Sequence, residues 1–348
     1  MKSYKHLMGM YLSEDNIAIA VNTAKRAPKI FTTEMLRNYV PSVAKPVTFF
    51  DHTSHKKRTI VVPSPTDLVV QHAQMNILKP IFRKSFYRLI CSSISGRGLH
   101  SAKSAVEGFI RKHGDYYFLQ IDIKHFFENI DHNILKEKLK IIADFEFKQE
   151  LFKIIDSYSP GLPIGFYTSP WYANFYLSKF DHWVKEVLRI PFYCRYMDDM
   201  LFIEKTKEDL LVKFELIKMY LADLKLEIKP NFKIGCFGNG DFADYLGFRF
   251  YDNRTTLRKR LLSKIRRKVR KVKKKKRMTV FDARQTLPYW GFLKITDTYE
   301  YSKEHLNFNF NKCRKIISNH DKAKNSKKKE QILLNTVVRF GTWKNWNL

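Results

Sequence analysis

Two adjacent carboxylates in the segment PFYCRYMDDMLFIE, residues 191–204, constrain the fold of this chain more than any other feature. Asp198 and Asp199 separate two runs of aromatic, β-branched and apolar residues of the kind that form strands. Two strands joined in this way make a β-hairpin with both acids at its tip. Neighbouring like charges and desolvation both disfavour ionised carboxylates there, so the pair calls for a cation.

A third carboxylate follows an earlier predicted strand. The segment DYYFLQIDI, residues 115–123, is predicted to form a strand that ends at Asp122. A Gly/Pro loop and a long helix follow in GLPIGFYTSPWYANFYLSKFD, residues 161–181. Each acid alone is typical of a solvated turn or a local cap. Their order along the chain predicts that Asp122 meets the hairpin acids at one end of a sheet, where carboxylates can bind divalent cations.

The charge balance limits the class of partner. The 348 residues include 64 Lys and Arg against 34 Asp and Glu, a net charge of +30. Such a surplus predicts a polyanionic partner, either nucleic acid or an anionic membrane surface. No apolar run approaches the length of a membrane span, and the N-terminus lacks the apolar core of a signal peptide. We therefore expect nucleic acid as the partner, no membrane, a cytoplasmic location, and buried free thiols at the four widely spaced cysteines.

The remaining pattern predicts alternating helices and strands. Ser13 and Pro28 are expected to begin and end the first helix, over residues 13–27. A strand is predicted in KKRTIVVPSP, and strands or a turn in DYLGFRFYD. Further helices are predicted over 67–82, 101–112, two within 132–158, one long helix before residue 188, and 207–224.

A basic helix is predicted towards the C-terminus. Residues 258–277 contain 14 basic side chains in 20, and the composition changes near residue 255. A solvated surface helix is the alternative to a nucleic-acid contact here. Apolar residues recur every three to four positions, which predicts one apolar stripe on the helix at Leu257, Leu261, Ile265, Val269 and Val272.

These segments, taken in order, resemble the bacterial reverse transcriptases related to group II introns, retrons and diversity-generating retroelements. The resemblance runs from about residue 55 to 295. It rests on HKKRTIVVPSPTDLVVQHAQMNILKPIF and SSISGRGLHSA for the fingers, then DIKHFFENIDH, GLPIGFYTSPWYANFYL, YMDD, LKLEIKPNFKI and DYLGFRF. Each motif is modest alone, and the ordered set is specific.

The resemblance implies an α+β right-hand polymerase fold. An antiparallel palm sheet and a basic helical thumb are expected. Residues 1–114 would form an N-terminal extension and the fingers, and 115–255 the palm, with finger helices inserted at 130–160. Residues 256–348 would form the thumb and a basic C-terminal RNA-binding region.

The resemblance also implies site residues. Asp122, Asp198 and Asp199 match the ligands of two Mg²⁺ ions, with Mn²⁺ as an alternative, and the carbonyl of Ile123 would join them. Phe127 matches the ring that packs under the sugar and selects dNTPs, and core packing is its alternative role. Contacts with the incoming nucleotide are expected from Lys57, Arg58, Ile164, Gly165 and Tyr196. Contacts with nucleic acid are expected from Arg97, Lys264, Arg267, Lys268 and Lys271.

Two positions depart from the family pattern. Leu68 stands where Arg is usual, which removes one expected phosphate or template contact. Ile164 stands where most relatives have Gln, and an apolar residue there resembles the error-prone enzymes of diversity-generating retroelements. Because Ile can pack against the templating base but cannot hydrogen-bond near it, we expect lower copying fidelity.

The implied function is RNA-directed DNA synthesis on a dedicated, structured RNA template, in a system like a diversity-generating retroelement. An antiviral defence enzyme that acts with a partner non-coding RNA is the alternative. A catalytically silent RNA-binding protein of the same fold is a more remote one. The expected partners are template RNA, cDNA and dNTPs, with an accessory protein or a second copy of the chain in some settings.

Overall fold

The structure is a computed structural model that describes residues 4–43, 45–51, 56–113 and 115–341. The chain divides into two units, residues 1–246 and 247–348. The first unit mixes helices with antiparallel sheet, and the second is mostly helical. The predicted domain boundaries at 114 and 255 stay predictions.

The helices of the first unit begin at the side-chain caps that the sequence supplies. The Ser13 hydroxyl accepts a hydrogen bond from the amide of Asn16, and Ser64 and Asp67 form a capping box. The helices are α1 Leu7–Tyr11, α2 Glu14–Thr23, α3 Thr33–Arg37, α4 Pro65–Ser85, α5 Leu99–Lys112, α6 His132–Lys138, α7 Phe145–Asp156, α8 Ser169–Tyr176, α9 Ser178–Glu186 and α10 Lys207–Asp223. Short 3₁₀ turns cover Leu139–Ile141 and Phe237–Asn239.

Two helix predictions were wrong in extent. The first helix ends at Thr23, four residues early, because Ala24 adopts an extended backbone. The single long helix expected before residue 188 is two helices, α8 and α9. They separate at Leu177, where ψ is 0° and the hydroxyl of Ser178 bonds back to the carbonyl of Phe175. Such back-bonding competes with the helical hydrogen bonds of that turn.

The central sheet places the acidic residues at one end. The strands of the first unit are β1 Lys45–Asp51, β2 Lys56–Val62, β3 Tyr117–Asp122, β4 Phe192–Tyr196, β5 Asp199–Glu204, β6 Lys233–Cys236 and β7 Ala243–Tyr245. Four of them form an antiparallel sheet in the order β4-β5-β3-β6. In this register Asp122 lies opposite Asp199, and Asp199 lies opposite Tyr196. The predicted strand end and hairpin therefore meet, as the sequence indicated.

A two-stranded hairpin of β1 and β2 approaches the Gly/Pro loop, and β1 was not predicted. The amide of Val61 on β2 donates to the carbonyl of Ile164, with N and O 2.7 Å apart. The next residue, Gly165, has φ +120°, and a Cβ there would lie 2.2 Å from the Val61 carbonyl oxygen. Only glycine fits this close backbone approach.

The second unit contains the predicted basic helix. Its elements are the antiparallel strands β8 Phe248–Phe250 and β9 Thr255–Leu257 and the helices α11 Lys259–Lys273, α12 Val280–Lys294, α13 Tyr299–Leu306 and α14 Phe310–Gly341. Ile265, Val269 and Val272 form the buried stripe of α11, as predicted. Leu257 was wrongly assigned to this stripe, because it belongs to β9. Among the described helices, none is both long and apolar enough to span a bilayer.

A fully buried ion pair lies behind the acidic hairpin. Arg195 on β4 and Asp181 on α9 both have side chains with 0% exposure, and two guanidinium nitrogens lie 2.7 and 2.6 Å from the two carboxylate oxygens. The hydroxyl of Tyr193 donates to the same carboxylate at 2.8 Å. Burial alone would lower the pKa of Arg195, and the Asp181 carboxylate more than reverses this, so the guanidinium stays charged.

The same network reaches the turn between β4 and β5. Met197, the first of two turn residues, has φ +60°, a left-handed backbone conformation that is unfavourable for most residues other than glycine. Its amide donates to the Ser92 hydroxyl and its carbonyl accepts from Arg195, both at 3.0 Å. The side-chain oxygen of Asn174 links these two contacts, because it accepts hydrogen bonds from both Arg195 and Ser92. The strained turn is therefore fixed at both of its backbone polar groups.

We predict that Asp181→Asn lowers the free energy of unfolding by about 3–5 kcal/mol, because it leaves a buried guanidinium without its counter-charge. Urea denaturation would measure the loss. The matched control is Asp156→Asn, which breaks the more exposed pair with Lys136 and should cost less than about 1 kcal/mol. Equal losses in the two variants would contradict the role given to the buried pair.

Candidate active site

Two of the three predicted acids come together. Asp122 is the last residue of β3, and Asp198 is the second residue of the turn between β4 and β5. The amide of Ile123 donates to the carbonyl of Asp198 at 3.3 Å and so joins the strand end to the turn. Burial raises the pKa of Asp198 to about 6, and the nearby Asp122 carboxylate adds to the rise. Two carboxylates, one of them largely buried, therefore meet at this end of the sheet.

Lys229 supplies positive charge to this pair and was not predicted. Its Nζ lies 2.6 Å from Oδ1 of Asp122, and its amide donates to the Asp122 carbonyl at 2.8 Å. The surrounding segment, LKLEIKPNFKI, is one of the motifs that carry the family resemblance. No local signal distinguished Lys229 from the other lysines there, because the two partners are 107 residues apart.

Asp199 does not complete a cluster of three acids. It lies opposite Asp122 across the β3–β5 pair, and its carbonyl accepts from the Tyr245 hydroxyl at 3.3 Å. In the described part of the chain, no group of three or more His, Cys, Asp or Glu side chains is arranged to hold a metal ion. Its predicted role as a metal ligand stays a prediction.

The residues present nevertheless fit a divalent cation. Carboxylate oxygens are the donors that Mg²⁺ prefers, and two of them meet at Asp122 and Asp198. The ammonium of Lys229 occupies the position of a counter-ion to one of them. Burial and the neighbouring Asp122 carboxylate both disfavour the ionised form of Asp198, which is why its pKa is raised. A cation that bound both carboxylates would favour their ionised forms.

The two phenylalanines after Asp122 have different environments. Phe126 is buried in the core, whereas Phe127 is partly buried and packs against it. The carbonyl of Phe127 accepts from the amide of Leu162 at 2.8 Å, which joins this turn to the Gly/Pro loop. Phe127 is thus the ring with an accessible side, and its role under a sugar stays a prediction.

The residues predicted to contact a nucleotide lie on two elements. Lys57 and Arg58 are consecutive on β2, so their side chains leave opposite faces of the hairpin, and their contact with the triphosphate stays a prediction. Ile164, with 41% exposure, presents its side chain to solvent next to Gly165. Tyr196 is partly buried at the end of β4, opposite Asp199.

Arg97 hydrogen-bonds to backbone carbonyls close to it in the sequence. Its Nη1 donates to the carbonyl of Tyr87 at 3.0 Å, and its amide donates to the carbonyl of Ile94 at 3.0 Å. The geometry thus gives Arg97 a local structural contact. Its proposed contact with template phosphate stays a prediction.

Basic side chains on α11 divide into a face and a flank. Arg267 and Lys271 are exposed on the side opposite the buried stripe, and Lys264 lies beside them. Lys268 is on the flank, where its Nζ donates to Oε1 of Gln285. Arg270 shares the exposed face and was missed, although the 3.6-residue period could have indicated it. The four cysteines are free and buried, as predicted.

Comparison with known proteins gives one family match and several partial sequence matches. Residues 45–250 match the family described as reverse transcriptase (RNA-dependent DNA polymerase). The chain is 28% identical to the group II intron-encoded protein LtrA of Lactococcus lactis over 161 residues, 43% of this chain and 26% of that protein. It is 26% identical to the retron Ec73 reverse transcriptase of Escherichia coli over 230 residues, 60% of this chain and 70% of that protein.

Other matches are partial. Protein YkfC of Escherichia coli is 25% identical over 173 residues, 45% of each chain. The chain therefore spans less than half the length of YkfC and of LtrA. A telomerase from Candida albicans, solved in complex with a TWJ fragment of telomeric RNA, aligns with a TM-score of 0.49 at 12% identity, covering 87% of this chain and 60% of that one.

The family match covers more than half of the chain and includes the acidic strand end, the Gly/Pro loop and the acidic hairpin. The α+β architecture with antiparallel sheets is the one predicted for this family, and the prediction of a right-hand polymerase fold is confirmed. The chain belongs to the reverse transcriptase family.

Proposed function

We propose that this protein is an RNA-directed DNA polymerase, which adds dNMP units to a primer 3′-OH and releases pyrophosphate. The observation that carries this proposal is the meeting of Asp122 and Asp198 at one end of an antiparallel sheet, within the stretch that matches the family. Phosphoryl transfer of this kind depends on positioning and on electrostatic stabilisation.

Divalent cations would be held by Asp122, Asp198 and the carbonyl of Ile123, with Asp199 acting at longer range. Two bound Mg²⁺ or Mn²⁺ ions supply activation of the primer hydroxyl and stabilisation of the leaving phosphate oxygen. Lys229 pairs with Oδ1 of Asp122. A cation that bound this oxygen would compete with the ammonium of Lys229.

The remaining site residues would orient the substrates. The exposed side of Phe127 would pack under the sugar of a dNTP and leave no room for a 2′-OH. Lys57 and Arg58 would supply positive charge to the triphosphate. Gly165 allows backbone to approach the nascent pair, and Ile164 would pack on the templating base without a hydrogen bond.

The exposed face of α11 would follow the template–product duplex through its phosphates. Lys264, Arg267 and Lys271 carry this role, and Arg270 extends the same face. Lys268 would contribute less, because its ammonium is already bonded to Gln285. Contacts of this kind neutralise phosphate charge and are sensitive to salt.

The biological role is proposed as copying of a dedicated RNA in a diversity-generating-retroelement-like system, for which the apolar Ile164 is the support. Antiviral defence with a partner non-coding RNA is the alternative. A retron-type role gains support from the Ec73 enzyme, because the match covers 70% of that protein. Sequencing of the nucleic acid that co-purifies with the chain would separate these roles.

Incorporation of labelled dNTP on a primed RNA template tests the proposed activity. The parent protein should extend the primer with Mg²⁺ or Mn²⁺, and Asp198→Ala should abolish extension. If the parent with its co-purified RNA shows no incorporation under either metal, the chain is a binding protein with a polymerase fold.

We predict that Asp198→Asn stabilises the protein when divalent ions are chelated. Because the folded state raises the pKa of Asp198, its stabilising contribution is fully present below the ordinary value of 3.8 and is lost as pH rises through about 6. At pH 8 the variant should be more stable than the parent by about 1–2 kcal/mol, and at pH 3.5 the two should agree. Urea denaturation in EDTA measures both, with Asp223→Asn as the exposed control. A constant difference across this range would refute the prediction.

We predict that Ser92→Ala lowers kcat about tenfold, because the amide of Met197 loses its acceptor and the turn that carries Asp198 loosens. KM for dNTP should change less than twofold, the Mg²⁺ requirement should rise, and Ser92→Thr should restore activity. The control is Ser178→Ala, another buried serine bonded only to a backbone carbonyl. A matching loss of kcat in that control would show that the effect is not specific to the turn.

We predict that Arg267→Gln combined with Lys271→Gln weakens binding to an RNA–DNA duplex and reduces the magnitude of the salt-dependence slope by about 2, one per lost phosphate contact. Fluorescence anisotropy between low and moderate salt measures the slope. The control pair, Lys205→Gln with Lys207→Gln, changes the net charge equally at exposed positions of the first unit. An equal change of slope in both pairs would mean that only net charge matters.

A further inference from the structure

Helix α10 has apolar side chains on two opposite faces. One face packs on strands β3 and β5 and consists of the buried residues Leu210, Phe214, Ile217 and Leu221. The opposite face carries Val212, Leu216 and Met219, which are 64%, 40% and 65% exposed. Because they are four and three positions apart, they form one stripe along the helix. Exposed apolar side chains in such a stripe favour contact with another protein surface.

Negative charge surrounds this stripe. With about 100° between successive residues of a helix, four carboxylates lie within about 60° of the line through Val212. They are the exposed residues Glu208, Asp209, Glu215 and Asp223. No lysine or arginine of α10 falls within this sector, although the whole chain has a net charge of +30. We call the three apolar residues and these four acids the acidic face of α10.

Two acidic faces do not suit each other. In a symmetric contact around a twofold axis the same surface of both copies would meet, and carboxylates would then face carboxylates. Like charges that meet across an interface cost free energy, so such a contact is disfavoured. The complementary surface must instead combine apolar side chains with positive charge.

The segment of residues 24–43, between α2 and β1, combines these two properties, and we call it the basic segment. Its exposed basic residues are Lys25, Arg26, Lys29 and Arg37. Its exposed large apolar residues are Ile30, Met35, Val40 and Val43. Glu34 is the one acidic residue in its sequence. The buried residues Leu36 and Tyr39 anchor it to the core, and the Tyr39 hydroxyl donates to Asp67 at 2.6 Å. The basic segment therefore presents a fixed surface.

We propose that this protein self-associates head to tail, with the acidic face of one copy against the basic segment of a second copy. Both surfaces belong to the first unit, and both are exposed in the single chain. The contact brings four carboxylates to four cations and removes apolar side chains from water on both sides. Because the two contacting surfaces differ, each copy can bind two others, which gives open chains of copies or a closed ring. Self-association of this kind does not depend on the proposed polymerase activity.

The acidic face is small for a permanent interface. The helix from Glu208 to Asp223 is about 24 Å long. A contact of this length buries less surface than a standard stable interface, so we expect an affinity in the micromolar range.

Sedimentation equilibrium of the full chain over a concentration series tests the proposal. Bound nucleic acid is first removed, and its removal is checked by ultraviolet absorbance, because RNA would bridge copies of so basic a chain. In a low-salt buffer the weight-average mass should rise to about twice that of one chain or more as the protein concentration increases from about 1 to 100 µM.

Two charge-reversed variants make the test specific to these surfaces. The α10 variant carries Glu208→Lys, Glu215→Lys and Asp223→Lys. The segment variant carries Lys25→Glu, Arg26→Glu and Lys29→Glu. Each variant alone should remain monomeric, because like charges then meet at the contact. An equimolar mixture should recover the association of the parent, because every contact between the two variants joins opposite charges.

The apolar stripe is tested by a separate variant. Val212→Ser with Met219→Ser should weaken self-association about tenfold or more, because less apolar surface leaves water at the contact. The matched control is Phe145→Ser with Val187→Ser, which removes two residues of similar exposure, 67% and 64%, elsewhere in the first unit. The control should associate like the parent.

Several outcomes would overturn the proposal. A parent that stays monomeric over the whole concentration range has no such contact. Weaker association of the α10 variant together with stronger association of the segment variant would follow from net charge alone. If both variants keep the circular dichroism spectrum and thermal midpoint of the parent, yet fail to associate when mixed, the acidic face and the basic segment do not bind each other.

Discussion

The buried pair of Arg195 and Asp181 is the interaction on which the acidic end of the sheet depends. A charged pair removed from water is costly, and here every charged group is met by several hydrogen bonds. Arg195 also donates directly to the Met197 carbonyl, and through Asn174 and Ser92 the pair reaches the Met197 amide. A turn that would be strained on its own is thus stabilised from the core, and with it the position of Asp198.

This arrangement also explains how a strongly basic protein keeps two acids close together. The carboxylates of Asp122 and Asp198 are drawn together by backbone geometry, through a strand register and a turn, and not by attraction. Lys229 offsets the charge of Asp122. The cost of ionising Asp198 beside it shows as a raised pKa of Asp198. The backbone hydrogen bonds of the sheet and turn therefore hold the two carboxylates together against their mutual repulsion.

The sequence predicted the parts of the fold that local rules control. Alternation and β-branched runs located β3, β4 and β5, a capping serine located the start of α2, and the apolar period located α11. Long-range contacts carry no such local signal. The ion pair of Lys229, the partner strand β1 and the link from Ser92 to Met197 depend on residues brought together from distant segments.

Strand β5 lies between β4 and β3, and its residues Met200 to Ile203 have no exposed surface. Its amides are expected to exchange hydrogen with solvent only when the whole domain opens. Because Asp199 begins this strand and Asp198 precedes it, the acidic turn is anchored to a central, buried strand. Thermal loss of its geometry should therefore coincide with global unfolding of the first unit and not precede it.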